Sequence, residues 1–134
     1  MHVAEVKDLR VDYDEVTAVR DISFNLEKGK IYGFVGPNGA GKTSTIKALA
    51  GILEPKQGTI ILHGHDLETH REKALTKVGY MPDFPPVYEN LKTWEYLDVF
   101  ATAYGMKAQK RGPHVQEWLK KVNLEVKKED LIKG

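Results

Sequence analysis

Gly36-Pro37-Asn38-Gly39-Ala40-Gly41-Lys42-Thr43 is the stretch that decides the fold of this 134-residue chain. It satisfies the pattern G-x-x-x-x-G-K-[S/T] in full, and that pattern is typical of a loop that binds phosphate groups. Residues 31–35 precede it as an apolar run without alternation, which predicts a strand covered on both faces. Residues on one helical face follow it and predict an amphipathic helix over 43–53: Ile46, Leu49, Ala50 and Leu53.

The chemistry of a nucleotide explains the residue types in this loop. Phosphates need many converging donors, which backbone amides supply where glycines let the chain curl tightly and where a helix begins. Lys42, the predicted catalytic residue, would place its ammonium on the β- and γ-phosphates of ATP. Thr43 would offer its hydroxyl to Mg²⁺, and Ser44 would reach an α-phosphate oxygen. The predicted cofactors are therefore ATP and Mg²⁺, and the predicted nucleotide ligands are Gly36, Pro37, Asn38, Gly39, Ala40, Gly41, Lys42, Thr43 and Ser44.

The N-terminal part of the chain has the pattern of antiparallel strands. Apolar and polar residues alternate in 9–13 and in 22–26, which indicates strands with one wetted face. After the first helix, a strand is expected over 58–63. Thr69 and Glu72 have the spacing of a capping box and predict a short helix that ends near Lys77. The next strand, predicted over 78–81, would stop at a proline.

Beyond that proline the pattern is helical. Thr93 is expected to cap a first helix, and Gly112-Pro113 is expected to separate it from a second. Their periodic residues predict the core of this part: Trp94, Leu97, Ala101 and Tyr104 in the first helix, and Val115, Trp118, Leu119 and Val122 in the second.

Composition excludes several classes of protein. Lys and Arg number 20 and Asp and Glu 19, so a net charge of +1 argues against nucleic-acid binding through an overall basic field. The chain has no Cys, which excludes disulfides and thiolate catalysis. No signal peptide is visible at the N-terminus, and no apolar run approaches the length of a membrane span. We therefore expect a soluble, cytosolic protein.

The amino-acid sequence of residues 36–45 is more specific than the general phosphate-loop pattern. It closely resembles the nucleotide-binding domains of ABC transporters, as do 49–55, 58–60 and 79–82. The resemblance implies an α/β P-loop NTPase fold of the ABC ATPase type. Residues 1–30 would form an antiparallel β-subdomain, 31–90 the phosphate-loop core with the segment that family members call the Q-loop, and 91–134 the start of a helical subdomain.

The resemblance also implies two further sets of site residues. Tyr13 stands where the family places an aromatic ring on adenine, with Val19 beside the base; alternatively, Tyr13 only packs with Leu9 and Val11. Asp83 replaces the usual Gln after Tyr-x-Pro and would approach Mg²⁺, unless it is a solvated loop acid.

The variant around Asp83 resembles the exporter branch associated with ABC-2 permeases. It implies an ATPase subunit that dimerises with a second such subunit and powers export through a separate membrane permease, on the cytoplasmic face of the membrane. The family's signature segment, its apolar strand ending in Asp-Glu and its switch His are not found in the sequence, so hydrolysis by these residues alone is not expected. Two alternatives stay open: a nucleotide-binding module without hydrolysis, and a soluble ABC ATPase without a permease.

Overall fold

The computed structural model of the chain describes residues 1–133. They form two compact units, one up to Tyr80 and the other from Met81 onward. The first unit contains a sheet and two helices, and the second unit is helical. Among the described residues, no helix is both long enough and apolar enough to cross a membrane.

The sheet of the first unit has four antiparallel strands. They are β1 (His2–Tyr13), β2 (Val16–Glu27), β3 (Gln57–Leu62) and β4 (His65–Asp66), in the order β2-β1-β3-β4. The antiparallel strands expected from the alternation in 9–13 and 22–26 are therefore confirmed, and so is the strand expected over 58–63, which ends at Leu62. Because β1 is hydrogen-bonded on both sides, it contributes the most buried positions of the core: Ala4, Val6, Leu9 and Val11, against Val19, Ile60 and Leu62 of the neighbouring strands.

The helix after the phosphate loop is shorter than predicted. It is α1 (Lys42–Leu49), not 43–53, and it buries Thr45 and Ala48, whereas Ile46 is 40% exposed. It ends because Gly51 adopts a left-handed conformation with φ of +70°, a common helix terminator. The small side chain of Ala48 belongs to the core cluster of the sheet, so the helix lies close to the strands.

Two predicted strands are absent from the described residues. Residues 31–35 and 78–81 have no strand conformation, and Ile31, Val35 and Met81 are almost fully exposed. A β-strand exists only where a neighbour accepts and donates its backbone hydrogen bonds. Within the described residues, no strand pairs its backbone with either segment, so an apolar sequence was not sufficient.

A second correction concerns the helix after β4. Helix α2 (Arg71–Leu75) begins after His70, and Thr69 does not cap it. The Thr69 hydroxyl instead donates to Asp66 Oδ1, which also accepts the backbone N–H groups of Glu68 and Thr69. Asp66 satisfies these amides because its short carboxylate folds back on the following turn, an arrangement that competes with helix capping.

The second unit contains α3 (Thr93–Ala103), α4 (Ala108–Lys121) and a 3₁₀ turn at Glu125–Lys127. Thr93 is the first residue of α3 rather than its cap. The helix begins after Lys92, whose backbone N–H donates to Glu95 Oε2 at 2.8 Å. The Thr93 hydroxyl donates to the carbonyl of Asp130, because the chain returns past the start of α3.

Gly112-Pro113 lies inside α4 and does not separate the helices. Pro113 is exposed, so water can bond to the carbonyl that lacks an amide partner there. Val115 and Leu119 are buried as predicted. Trp118, Val122 and Tyr104 are 46%, 52% and 64% exposed, so their assignment to the core was wrong. Trp118 lies to one side of the buried stripe and donates its indole N–H to His114 Nε2 at 3.0 Å.

Candidate functional site

The phosphate-loop sequence forms a tight curl before α1. The N–H of Ala40 donates to the carbonyl of Pro37 at 3.3 Å, which closes a turn. Gly39 and Gly41 have φ of +82° and +84°, values that side-chain-bearing residues rarely adopt. The path of the backbone thus favours glycine at these two positions of the motif.

The Lys42 side chain folds back into this curl. Its ammonium donates to the carbonyls of Gly36 and Pro37, at 2.7 and 2.6 Å. The carbonyls at the start of the loop therefore hold the ammonium of Lys42, which lies at its end. A positive charge at the mouth of a curl of amides attracts an anion.

The beginning of α1 adds donors to the same place. The N–H of Thr45 makes the first helical bond, to Gly41 at 2.8 Å, and the Thr45 hydroxyl donates to the same carbonyl at 2.9 Å. The amides at the start of a helix have no acceptor within it. Here the first turn carries no acidic residue, so the positive end of the helix dipole is uncompensated.

Strand β2 fixes the position of the loop. A Cβ atom on Gly41 would lie 2.3 Å from the backbone carbonyl oxygen of Ala18 and 3.0 Å from Val19 Cγ2. Val19 is itself buried in the core, at 4% exposure. The backbone of Gly41 can approach the strand this closely only because it has no side chain, so the phosphate loop and Val19 become neighbours.

Tyr13, at the end of β1, is close to the beginning of α1. The Ser44 hydroxyl donates to the Tyr13 hydroxyl at 3.5 Å, and the Tyr13 side chain is 42% exposed, unlike the fully buried Leu9 and Val11. The structure therefore brings Tyr13, Val19 and the loop together, although 31 positions in the sequence separate Tyr13 from Ser44. Ala18 was missed by the sequence analysis, because its contribution is a backbone carbonyl that no side-chain pattern reveals.

The two predicted metal ligands lie in different units. Thr43 is exposed in the first turn of α1, next to Lys42. Asp83 is exposed in a bend of the second unit. Within residues 1–133, no group of three or more His, Asp or Glu side chains could hold a metal ion by itself.

Comparison with known proteins connects this geometry with a family. The family model described as ABC transporter matches residues 19–134. The ABC-type transporter ATP-binding protein EcsA of Bacillus subtilis (strain 168) is 34% identical over 93% of this chain and 51% of its own length. Nod factor export ATP-binding protein I of Ralstonia nicotianae is 35% identical over 87% of this chain and 37% of its own length.

Solved structures agree with the sequence relatives. An ATP-binding subunit of an ABC transporter superimposes with a TM-score of 0.84 at 32% identity, over 96% of this chain and 54% of that one. A putative ABC transporter ATP-binding protein from Pyrococcus furiosus gives a TM-score of 0.77 at 29% identity, over 97% of this chain and 61% of that one. The chain spans about half the length of EcsA and of the first of these structures, and less of the Nod factor relative. On the family match over most of its residues, the chain belongs to the ABC transporter family.

Proposed function

We propose that this chain binds Mg·ATP through residues 36–44, as the nucleotide-binding part of an ABC transporter ATPase. The observation that carries the proposal is the Lys42 ammonium, held by the carbonyls of Gly36 and Pro37 beside the open amides of α1. Two neutral carbonyls are weaker partners for an ammonium than a phosphate oxygen is. A triphosphate can therefore take over Lys42 while the loop amides bind its other oxygens.

The remaining site residues follow from their positions around the loop. Ser44, one residue into the helix after Thr43, would contact the α-phosphate. Tyr13 would stack on the adenine, because its half-exposed ring lies next to Ser44, with Val19 supporting the base from β2. The contact between Gly41 and β2 supports this arrangement, because it fixes the phosphate loop relative to the predicted base site.

The oxygen ligands around the phosphate loop suit magnesium. Mg²⁺ keeps several waters and takes one or two protein oxygens together with phosphates, rather than a cage of carboxylates. The exposed hydroxyl of Thr43 is a donor of that kind, and no carboxylate cage occurs among residues 1–133. We therefore propose that the metal enters with the nucleotide at Thr43. Asp83 remains a proposed second ligand on the family resemblance.

The wider assembly is proposed from the relatives and the family. One relative is named as an export ATP-binding protein and another as a lantibiotic transport ATP-binding protein. By analogy, the whole protein would dimerise with a second ATPase subunit and power export through a permease, on the cytoplasmic face of the membrane. Within it, residues 1–30 would form the antiparallel β-subdomain, 31–90 the phosphate-loop core and 91–134 the start of the helical subdomain. Co-purification with a polytopic membrane protein tests this proposal against an ABC ATPase that works without a permease.

We further propose that these 134 residues bind ATP without hydrolysing it. An ABC ATPase needs a carboxylate to polarise the attacking water and another to anchor the metal through water. The one Asp-Glu pair in the sequence, Asp14-Glu15, forms the β1–β2 turn rather than the end of an apolar strand. Phosphate release above background at saturating Mg·ATP, abolished by K42A, would contradict this proposal.

Calorimetric titration with Mg·ATP tests nucleotide binding directly. We expect one site, and an affinity that falls about ten- to hundredfold in K42A, the loss of a charge-assisted contact worth about 1.5–3 kcal/mol. K47A is the matched control, because Lys47 lies in the last turn of the same helix. Parental affinity in K42A, or an equal loss in K47A, would show that Lys42 does not bind the phosphates.

A further inference from the structure

The end of the β1–β2 hairpin extends beyond β3. The pairing of β1 with β3 ends at Arg10, which lies opposite Gln57 and whose carbonyl accepts the N–H of Lys56 at 2.8 Å. Three residues further on, the strand partner of Tyr13 is Val16 of β2. A ribbon of two strands is only marginally stable in water. The direction of the Tyr13 side chain therefore depends on contacts within the hairpin.

A β-bulge separates the hairpin end from the part that is paired with β3. Val11 lies opposite Val19, and the next residue, Asp12, lies opposite Thr17. Ala18 is therefore an extra residue of β2 in this register. In a regular strand, alternate side chains share a face, which would put Thr17 on the buried face of Val19. The extra residue turns Thr17 to the opposite face, where it meets Asp12.

On that face, the Arg10 side chain connects the two parts of the hairpin. Its Nε–H donates to both carboxylate oxygens of Asp12, at 3.1 and 3.2 Å, and its Nη2 donates to the Thr17 hydroxyl at 3.2 Å. The Asp12 side chain is only 18% exposed, so the ion pair is partly shielded from water. The hydrogen bond from Arg10 lowers the pKa of the Asp12 carboxyl below its ordinary value, against the opposing effect of burial. One guanidinium therefore joins the last residue paired with β3 to both strands beyond the bulge.

The bulge and the hairpin end adjoin the proposed nucleotide site. Gly41 of the phosphate loop approaches the carbonyl of Ala18, and the Ser44 hydroxyl donates to the Tyr13 hydroxyl. The loop itself is closed by its own bonds, including those of the Lys42 ammonium. A change in direction of the hairpin end would therefore displace the Tyr13 ring while the loop keeps its curl.

We propose that Arg10, Asp12 and Thr17 are positioning residues, which hold the Tyr13 ring at the angle at which it stacks on adenine. The inference rests on the proposed function, because it takes Tyr13 as the residue that binds the base. The three side chains act through the hairpin and not by touching the nucleotide, since they lie on the face opposite the buried Val11.

Calorimetric titration of the whole chain with Mg·ATP, Mg·ADP and inorganic triphosphate tests the inference. Asp12→Asn and Thr17→Val should each weaken binding of both nucleotides by about threefold or more, a part of the loss expected when a stacking ring is removed, and leave triphosphate binding almost unchanged. Thr17→Val keeps the β-branched shape that suits a strand, so it decides the question if Asp12→Asn fails to fold. Asp98→Asn is the matched control, because the Asp98 carboxylate accepts Arg111 Nε–H at 2.9 Å in the second unit.

A double-mutant cycle separates positioning from a general loss of stability. In Tyr13→Ala, where no ring is left to position, Asp12→Asn should cause no further loss of ATP affinity. The inference is overturned by parental nucleotide affinity in Thr17→Val or in folded Asp12→Asn, by an equal loss for triphosphate or in Asp98→Asn, or by an undiminished further loss in Tyr13→Ala. Parental ATP affinity in Tyr13→Ala itself would overturn the proposed stacking and this inference together, whereas a loss there without one in Asp12→Asn and Thr17→Val would overturn this inference alone.

Discussion

The β-sheet of the first unit and the segment 31–43 both contain apolar stretches, yet the structure treats them in opposite ways. In the sheet, β1 is paired on both sides and its side chains at Leu9 and Val11 are withdrawn from water. In the segment, Val35 is fully exposed and the loop that follows is bonded mainly to itself. The sheet supplies stability, and the segment supplies the curled amides of the proposed phosphate site.

The difference shows where stability and binding can be changed independently. Mutations in the sheet should lower the free energy of unfolding, whereas mutations in the loop should change affinity for nucleotide. The two regions meet where Gly41 approaches the Ala18 carbonyl and where Ser44 contacts Tyr13.

Gly41→Ala should have the largest effect. A left-handed φ costs an alanine about 1–2 kcal/mol, and the new Cβ would meet the Ala18 carbonyl, a backbone atom that cannot move aside, for about 1–3 kcal/mol more. Gly39→Ala is the matched control, with a similar φ and nothing within 4 Å. Urea unfolding measures both; equal losses would show that contact with β2 does not matter.

The same valine-to-alanine substitution should affect stability differently in the sheet and in the segment 31–43. Val11→Ala in β1 should lower the free energy of unfolding by about 2 kcal/mol, since a buried valine loses two methyl groups and leaves a cavity. Val35→Ala, at 98% exposure, should change it by less than about 0.5 kcal/mol in dilute solution. Comparable losses would mean that residues 31–35 are covered in the monomer.

Tyr13→Ala should weaken binding of ATP and of ADP alike, by about tenfold, because base stacking on an aromatic ring is worth about 1–3 kcal/mol. Inorganic triphosphate, which has no base, should bind almost unchanged. Tyr88→Ala provides the control, as an exposed tyrosine of the second unit. Equal losses for all three ligands in calorimetry would assign the Tyr13 ring a structural role.

The smallest effect is expected from Asp66. The backbone N–H of Thr69, with further bonds from the same residue and from Glu68, holds the pKa of the Asp66 carboxyl below its ordinary value. Because the folded-state pKa is the lower one, this stabilisation is complete above the unfolded-state pKa of about 4 and is lost as the pH falls through the folded-state value.

Chemical unfolding as a function of pH checks the sign. The chain should be more stable than its Asp66→Asn variant at neutral pH, and the difference should shrink in acid. A difference that grows as the pH falls would contradict the assigned direction. Glu15→Gln, in the exposed β1–β2 turn, controls for the loss of a surface charge.

The sequence predicted the structure correctly where the period of the apolar residues matched the surface on which the element packs. The alternation around Leu9 and Val11 predicted a half-buried antiparallel strand, and the structure contains it. The spacing of Val115 and Leu119 predicted the buried face of α4. In these cases, the periodicity of the chain and the surface on which it packs impose the same arrangement.

The sequence patterns failed where a contact or an exposure that they do not contain decided the outcome. Thr69 and Thr93 have the residue types of helix caps, but Asp66 takes the hydroxyl of the first and the Asp130 carbonyl that of the second. Gly112-Pro113 has the composition of a break, yet tolerates a helix because it is exposed. Local propensities are worth about 1 kcal/mol for a cap and about 3 for a proline, which tertiary contacts can exceed.

By itself, the sequence determined the phosphate loop, because positive φ at Gly39 and Gly41 and an ammonium at Lys42 are properties of residue type and spacing. Only the tertiary structure decided what surrounds that loop. It brought the Ala18 carbonyl and the Tyr13 ring to its side, and it left Ile31 and Val35 bare, because hydrogen bonds between strands depend on which segments meet in space.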